Sequence, residues 1–353
     1  MNNTTFESHF GHPAQAAATA HGRVNLIGEH TDYCGGLVLP TLINQKIIVQ
    51  ISLRSDFQIN GFSSEFGSQI ATISEVASDS WLRFVDGAIS LMNEHGANIK
   101  GINILTHSDI PAGAGVSSSA AFEIAILRAL CDVTKISLDA RTMALLGQRI
   151  EHEFIGTKCG IMDQMAVSIA EFGQGLLLNC QTLETEAVPI PEDCCVAVIH
   201  SGSSRKLSNS LYNERLSETI EAANQMGCEN LSQASFTDLN KLSDEILIKR
   251  SHHVISENQR VIAARDALLA NDVISLGTLM TESHLSLRDD YEVSSDELDH
   301  LVSLAISQGA YGARLTGAGF GGCIIALMHE DAADEIINAI LDNAPKAWLV
   351  DSF

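Results

Sequence analysis

PAGAGVSSSAAFEIAIL, residues 111–127, sets two glycines and three serines between a strand-like run, NILTHSDI at 103–110, and a stretch whose apolar residues recur at helical spacing. The order is strand, glycine loop, helix. Gly113 and Gly115 let backbone N–H groups approach an anion, and the start of the helix adds unsatisfied donors and partial positive charge. The segment Gly113, Ala114, Gly115, Val116, Ser117, Ser118 and Ser119 is therefore a candidate phosphate cradle; a tight loop closed by an ordinary serine cap is the alternative. The Walker pattern GxxxxGK[ST] is absent, and no Lys or Arg occurs from Gly101 to Leu127. Neutralisation would have to come from backbone dipoles, residues elsewhere and a divalent cation, to which Ser119 could offer its hydroxyl.

Outward from this segment, strands are expected at 46–54, 103–110, 175–180, 194–200, 311–316 and 322–328, and helices at 117–132, 138–155, 205–226, 254–270 and 296–308. Interleaving of this kind implies an α+β or mixed α/β build. A helical pattern ends in two glycines at EFGQG, 171–175, which divides the 353 residues into expected domains 1–173 and 174–353.

Twenty-one Lys and Arg stand against 44 Asp and Glu, a net charge of −23. A surface so poor in cations suits neither nucleic acid nor an anionic membrane. The mean hydropathy of +0.12 allows substantial cores, whereas the longest apolar runs, such as CIIALM at 323–328, fall far short of the ~20 residues that span a bilayer. A soluble chain with no secretion signal is expected, its eight cysteines, none in CxxC spacing, being buried free thiols of a reducing cytoplasm.

Three further segments carry chemistry. TGAGFGGC at 316–323 holds a literal GxGxxG, but it leads into a strand-like run rather than a helix, so a glycine loop between strands is expected instead of a dinucleotide fingerprint. GRVNLIGEHTDYCGG at 22–36 gathers Arg23, Glu29, His30 and Asp32 among glycines, which suits either several sugar hydroxyls or a solvated turn. In RIEHEFIGTKCGIMDQ at 149–164, Glu151 falls on an expected helix and Asp163 sits among Ile161, Met162 and Met165. A carboxylate in that setting is either ion-paired, with Arg23 as the partner suggested, or functional.

Taken in order, these segments resemble the galactokinase branch of the GHMP small-molecule kinases. GRVNLIGEHTDY (22–33) is similar to the galactokinase signature, PAGAGVSSSAA (111–121) to the family's ATP loop and LTGAGFGGC (315–323) to its third motif; CGIMDQ (159–164) and SRKLSNSLYNERLSE (204–218) also match in order and spacing. The resemblance spans nearly the whole chain. It implies a two-domain α+β fold with the active site in the interdomain cleft and ATP-dependent phosphorylation of D-galactose at its anomeric hydroxyl. By the same resemblance Asp163 would be the base and Arg23 would stabilise the transition state. Glu29, His30, Thr31, Asp32, Gly160 and Tyr212 would hold the sugar, and Gly113 to Ser119, Trp81 and Ser63 the nucleotide. Ser119 and Glu151 would be the Mg2+ ligands.

Two positions depart from the family pattern: Cys34 stands where many galactokinases carry Asn, beside the sugar loop, and His21 where Pro is usual. The alternatives are a kinase for a related sugar such as N-acetylgalactosamine, galacturonate being disfavoured by a sugar loop rich in acceptors, or a non-catalytic galactose sensor. An intact SSSAA run, Glu151 and Asp163 speak for the enzyme. A cytoplasmic monomer acting on galactose and ATP, with no nucleic-acid or membrane partner, is the expectation.

Overall fold

The computed structural model describes residues 4–111, 113–203 and 208–353. Strands and helices are numbered in chain order. The backbone separates into two compact units, one of Met1–Gly22, Gln45–Pro111 and Ser117–Ile169, the other of Arg23–Asn44, Ala112–Val116 and Ala170–Phe353. One boundary lies four residues before the expected division at 173/174. The second unit also takes two segments of the N-terminal half, the sugar-loop segment and the first part of the glycine loop.

The first unit carries most of a five-stranded sheet of order β1-β3-β6-β4-β5, from β1 (Ala16–Asn25), β3 (Pro40–Leu53), β4 (Gln58–Ser63), β5 (Gly67–Thr72) and β6 (Ile102–Ser108); β1 from Arg23 onward and β3 up to Asn44 are counted with the second unit. Strand β6 runs antiparallel to β3 and parallel to β4. Its helices are α1 (Phe6–Phe10), α2 (Leu82–Glu94), α3 (Ser118–Thr134), α4 (Ala140–Arg149) and α5 (Met162–Ile169). Helix α3 buries every residue from Ala120 to Leu130 except Arg128, because it is apolar on nearly every face. Between α4 and α5 the expected helix 138–155 changes character: Ile150–Ile155 is a π-helical turn closed by Gly156 at φ 88°, and it carries Glu151. Single π turns of this kind are common where a helix must aim a functional side chain.

The second unit holds two sheets. A three-stranded one joins β2 (Leu37–Val38), β7 (Gln174–Asn179) and β8 (Thr185–Pro189), and a four-stranded one has the order β10-β11-β9-β12, from β9 (Cys194–His200), β10 (Gly312–Thr316), β11 (Cys323–His329) and β12 (Trp348–Ser352). All three neighbours in the latter are antiparallel. Helices α6 (Ser208–Met226), α7 (Glu245–Leu269), α8 (Val273–Asp289), α9 (Asp296–Ser307) and α10 (Ala333–Asn343) complete it. The start of the helix expected over 205–226 lies outside the described residues. The core of this unit is built from Ile199, Leu315, Ile324, Ala326 and Met328 of the sheet with Val254, Leu287, Leu298 and Ile340 of the helices. The third glycine run does connect two strands: β10 and β11 form a hairpin with Thr316 opposite Cys323.

Of the eight cysteines, expected to be buried, Cys34, Cys194, Cys195 and Cys323 are buried and the other four half-buried. Among the described residues no helix is long and apolar enough to cross a membrane.

Candidate active site

In the first unit the serines of the glycine loop meet two acidic segments. Ser117 is the N-cap residue of α3 but lies in the left-handed region at φ 62°, and its hydroxyl makes no cap bond. It donates instead to Oδ2 of Asp163, in the first turn of α5, at 2.5 Å. The helix expected over 117–132 forms as Ser118–Thr134, but Ser117 gives the first-turn amides of α3 no side-chain cap. Ser119 bonds to Glu151, which also bonds to Thr157 and Glu123. Glu123 is fully buried on α3 and accepts from Gln164 Nε2 at 3.1 Å. Burial raises the pKa of both acids; the charges of Glu151 and Asp163 raise Glu123 further, whereas on Glu151 the bonds to Ser119, Glu123 and Thr157 work against burial and the charge of Asp163. Glu123 and Gln164 were not legible as site residues, because a buried acid in an apolar helix carries no local motif.

Also in this unit, Gly160 is buried just before α5. Trp81 is the N-cap residue of α2 and packs against Gly61 and, with the rings tilted by 51°, against Phe122. Its indole Nε1 is buried without a hydrogen-bond partner. Ser63 ends β4, and its hydroxyl accepts from the amides of Glu65 and Phe66 at 3.2 Å each, so it is engaged in the β4–β5 turn.

In the second unit Gly113 and Gly115 take φ values of 70° and 84°, and buried Ala114 and Val116 alternate with them. Arg23, itself buried, donates from Nη1 to the Gly115 carbonyl at 3.0 Å and from its amide to that of Val116 at 3.1 Å. The missing basic residue of the loop is therefore supplied from β1. Arg23 and Asp163, the pair suggested from the sequence, belong to different units.

The sugar-loop segment is held by a buried ionic network that the sequence did not reveal. Glu29 is 1% exposed, and its two oxygens accept from Asn25 Nδ2 (2.6 Å), Thr316 Oγ1 (3.1 Å), the Gly317 amide (2.8 Å) and Arg314 Nη1 (2.7 Å). Burial raises its pKa, against the pull of Arg314. Glu257 of α7 accepts from the Gly28 amide and from Ser283, and pairs with Arg260. Although burial pushes its pKa up, Arg260, His253 and Arg314 together hold it down to about 2. Gly28, at φ 105°, could carry no side chain, since a Cβ would lie 2.6 Å from the Leu37 carbonyl.

His30, also left-handed at φ 63°, has both ring nitrogens engaged. Nε2 meets the Ala318 carbonyl at 3.1 Å and Nδ1 the Tyr33 hydroxyl at 2.8 Å. A carbonyl can only accept, so in the neutral ring Nε2 carries the proton, Tyr33 donates to Nδ1, and Tyr291 donates to Tyr33 at 2.8 Å. The ring of Tyr212 lies 5.9 Å from His30 and 5.3 Å from Tyr33. Thr31 is buried with its hydroxyl shared between the carbonyls of Gly28 and Leu37. Asp32 is half-buried at the start of a 3-10 turn. Cys34, the departure beside this loop, points inward: its thiol contacts the His30 carbonyl at 3.6 Å, and burial pushes its pKa far up.

Comparison with known proteins shows the family and the fold. The galactokinase galactose-binding signature matches residues 4–53, the GHMP kinases N terminal domain 83–171 and the GHMP kinases C terminal domain 264–346. A galactokinase of Chloroflexus aurantiacus is 38% identical over 350 residues, covering 96% of this chain and 90% of the relative. The crystal structure of Lactococcus lactis galactokinase complexed with galactose superposes with a TM-score of 0.92 at 34% identity, over 98% of this chain and 95% of that one. The mevalonate kinase of Methanococcus jannaschii shares the fold, with a TM-score of 0.69 at 22% identity over 95% and 97% of the two chains. A two-domain kinase fold, a galactose-binding signature around Glu29 and a relative alike over nearly its whole length lead to one assignment: the chain belongs to the galactokinase family of the GHMP kinases.

Proposed function

We propose that the protein transfers the γ-phosphoryl group of ATP to the anomeric hydroxyl of D-galactose, giving α-D-galactose 1-phosphate and ADP. The observation that carries this reading is the galactose-binding signature at 4–53 in a chain similar end to end to a galactokinase that binds galactose.

Phosphoryl transfer needs in-line positioning and charge neutralisation more than covalent help. Asp163 accepts the anomeric proton as the hydroxyl attacks, and the Arg23 guanidinium stabilises the charge that develops on the transferred group. The backbone of Gly113, Ala114, Gly115, Val116, Ser117, Ser118 and Ser119, ending at the uncapped N-terminus of α3, binds the ATP phosphates. Trp81 lines the adenine site and its unpartnered N–H is a donor for the base; Ser63 contributes through the β4–β5 turn. Asp32, Gly160 and Tyr212 meet sugar hydroxyls. His30 contributes through its left-handed backbone, since its ring nitrogens are engaged, and Thr31 and Glu29 fix the loop, a sugar hydroxyl adding to a Glu29 carboxylate already held by four donors.

Mg2+ suits the Ser119–Glu151 pair. Both are hard oxygen donors already bonded to one another, and the acid cluster around Glu151 is one whose charge a cation would relieve. Among the described residues no three acidic, His or Cys side chains form a cage, so phosphates and water would complete the shell. When bound, the ion neutralises phosphate charge. The proposal includes action in the cytoplasm, supported by the free thiols of Cys34, Cys131, Cys194, Cys195 and Cys228, and a monomeric state.

A sugar panel assayed for ADP release tests the reading. Galactose should give the highest kcat/KM; a rate on galactose far below that on N-acetylgalactosamine would overturn the choice of sugar, and no turnover on any sugar would favour a sensor.

A further inference from the structure

The first serine of the loop does something that phosphate binding does not require. Its hydroxyl turns away from the α3 amides that an N-cap serine ordinarily serves and meets Asp163 Oδ2 at 2.5 Å, across 46 residues of sequence. An O–H bond of that length to a carboxylate lies in the charge-assisted range. The backbone is arranged for it: Ser117 adopts φ 62° and ψ 47°, a conformation a non-glycine residue enters at a cost and that is typically kept where function needs it. It is 7% exposed, so the bond is shielded from competing water.

We infer that Ser117 is a positioning residue for the base, fixing one oxygen of the Asp163 carboxyl and hence the plane in which the other meets the sugar hydroxyl. A carboxylate on a single χ2 torsion swings easily, because terminal sp³–sp² torsions are broad. Glu123 and Glu151 repel the Asp163 carboxylate electrostatically. The hydroxyl couples the two jobs of the loop: its backbone addresses ATP while this side chain holds the group that activates the sugar.

The inference rests on the assignment of Asp163 as the base, and the test separates the two. Ser117→Gly keeps the left-handed backbone and removes only the hydroxyl. It should lower kcat by about ten- to a hundredfold, with the KM for galactose and for ATP, and calorimetric affinities for both, within about twofold of wild type. Ser117→Thr retains the donor and should recover much of the rate. In an Asp163→Asn background, Ser117→Gly should cause no further loss. Should Ser117→Gly prove insoluble, Ser117→Ala supplies the same comparison with thermal melting as its folding control. Wild-type kcat in Ser117→Gly would overturn the inference, as would a loss confined to the KM for ATP, which would return the hydroxyl to the nucleotide. Full activity in Asp163→Asn would overturn the base assignment itself.

Discussion

Arg314→Met tests whether the sugar-loop segment is held electrostatically. Arg314 is 0% exposed, and its guanidinium gives Glu29 one of four hydrogen bonds and the Asn25 carbonyl another, with Glu257 at 3.9 Å. Removing it leaves Glu29 buried with three neutral donors and no counter-charge, while Glu257 keeps Arg260. Breaking a buried pair on one side typically costs about 3–5 kcal/mol, because the remaining charge is uncompensated. Glu29 has a way out. Its pKa is already raised by burial, so without Arg314 it can take a proton, at about 1.4 kcal/mol for each unit by which the pKa lies below the working pH. The loss at pH 7 should therefore approach the full range and shrink as the pH falls toward 5. Urea unfolding monitored by circular dichroism reads the stability, and calorimetry the galactose affinity, which should fall as well because Glu29 bonds the Gly317 amide and fixes the loop. The double variant Arg314→Met with Glu29→Gln should regain a large part of the loss, since neither charge is then stranded. A single-variant cost below about 1 kcal/mol at pH 7, or one that does not depend on pH, would refute the electrostatic account and leave packing in its place.

Glu151→Ala should raise the Mg2+ concentration needed for half-maximal rate, lower kcat, and weaken Mn2+ binding to the ATP complex as read by paramagnetic resonance; an unchanged titration would remove Glu151 from the metal site. Gly28→Ala should cost roughly 1–3 kcal/mol from the backbone conformation alone and more from the contact with Leu37, seen in thermal melting, with galactose affinity falling alongside. Acid should destabilise the second unit. His253 and His284 are held by burial at about 4, against an ordinary 6.5 in the unfolded chain. As the pH falls from 6.5 to 4, the unfolded state takes protons that the folded state refuses, so stability declines by at most about 3 kcal/mol per histidine. Below the ordinary 4.5, Glu257 adds to the loss as the pH falls toward its folded value of about 2. His253→Gln should flatten the first part of that decline in pH-dependent urea unfolding, and an unaltered profile would rule out the histidine as its source.

The glycine- and serine-rich loops were legible because their information is local: a positive φ at Gly113, Gly115 and Gly28 can be anticipated from the residue itself. The β10–β11 hairpin could be read for the same reason, apolar runs flanking a glycine turn. The pair β4 and β5 was not. The inward positions of β4 are Ile59, Gly61 and Ser63, so the alternation that marks a half-buried strand is carried by one large apolar residue and two small ones. Helix α8 was missed because its buried face includes Gly277, Ser283, His284 and Ser286. Gly277 is where the backbone at Tyr311 and Gly312 comes too near to admit any side chain. Arg314 sits on a strand between Ala313 and Leu315 and Glu257 on a helix between Ser256 and Asn258, and no short motif links residues 57 positions apart.

The same distinction reconciles the net charge of −23 with the nucleotide substrate of the proposed function. A formal count registers side chains, whereas the loop of 113–119 presents backbone amides and an uncapped helix start, with Arg23 bonded to its Gly115 carbonyl as the local cation. Long-range repulsion from the surface acids is screened beyond ~8–10 Å at physiological salt, so over the few ångströms of direct contact the fixed dipoles and the one buried guanidinium prevail. The acids to which the proposed function gives roles, Asp163 and Glu151, and Glu123 beside them are partly or wholly buried, and each is tied to a hydroxyl or amide that sets its direction. Function in this chain therefore depends less on how much charge the sequence carries than on which oxygens the fold has already committed to a donor before a ligand arrives.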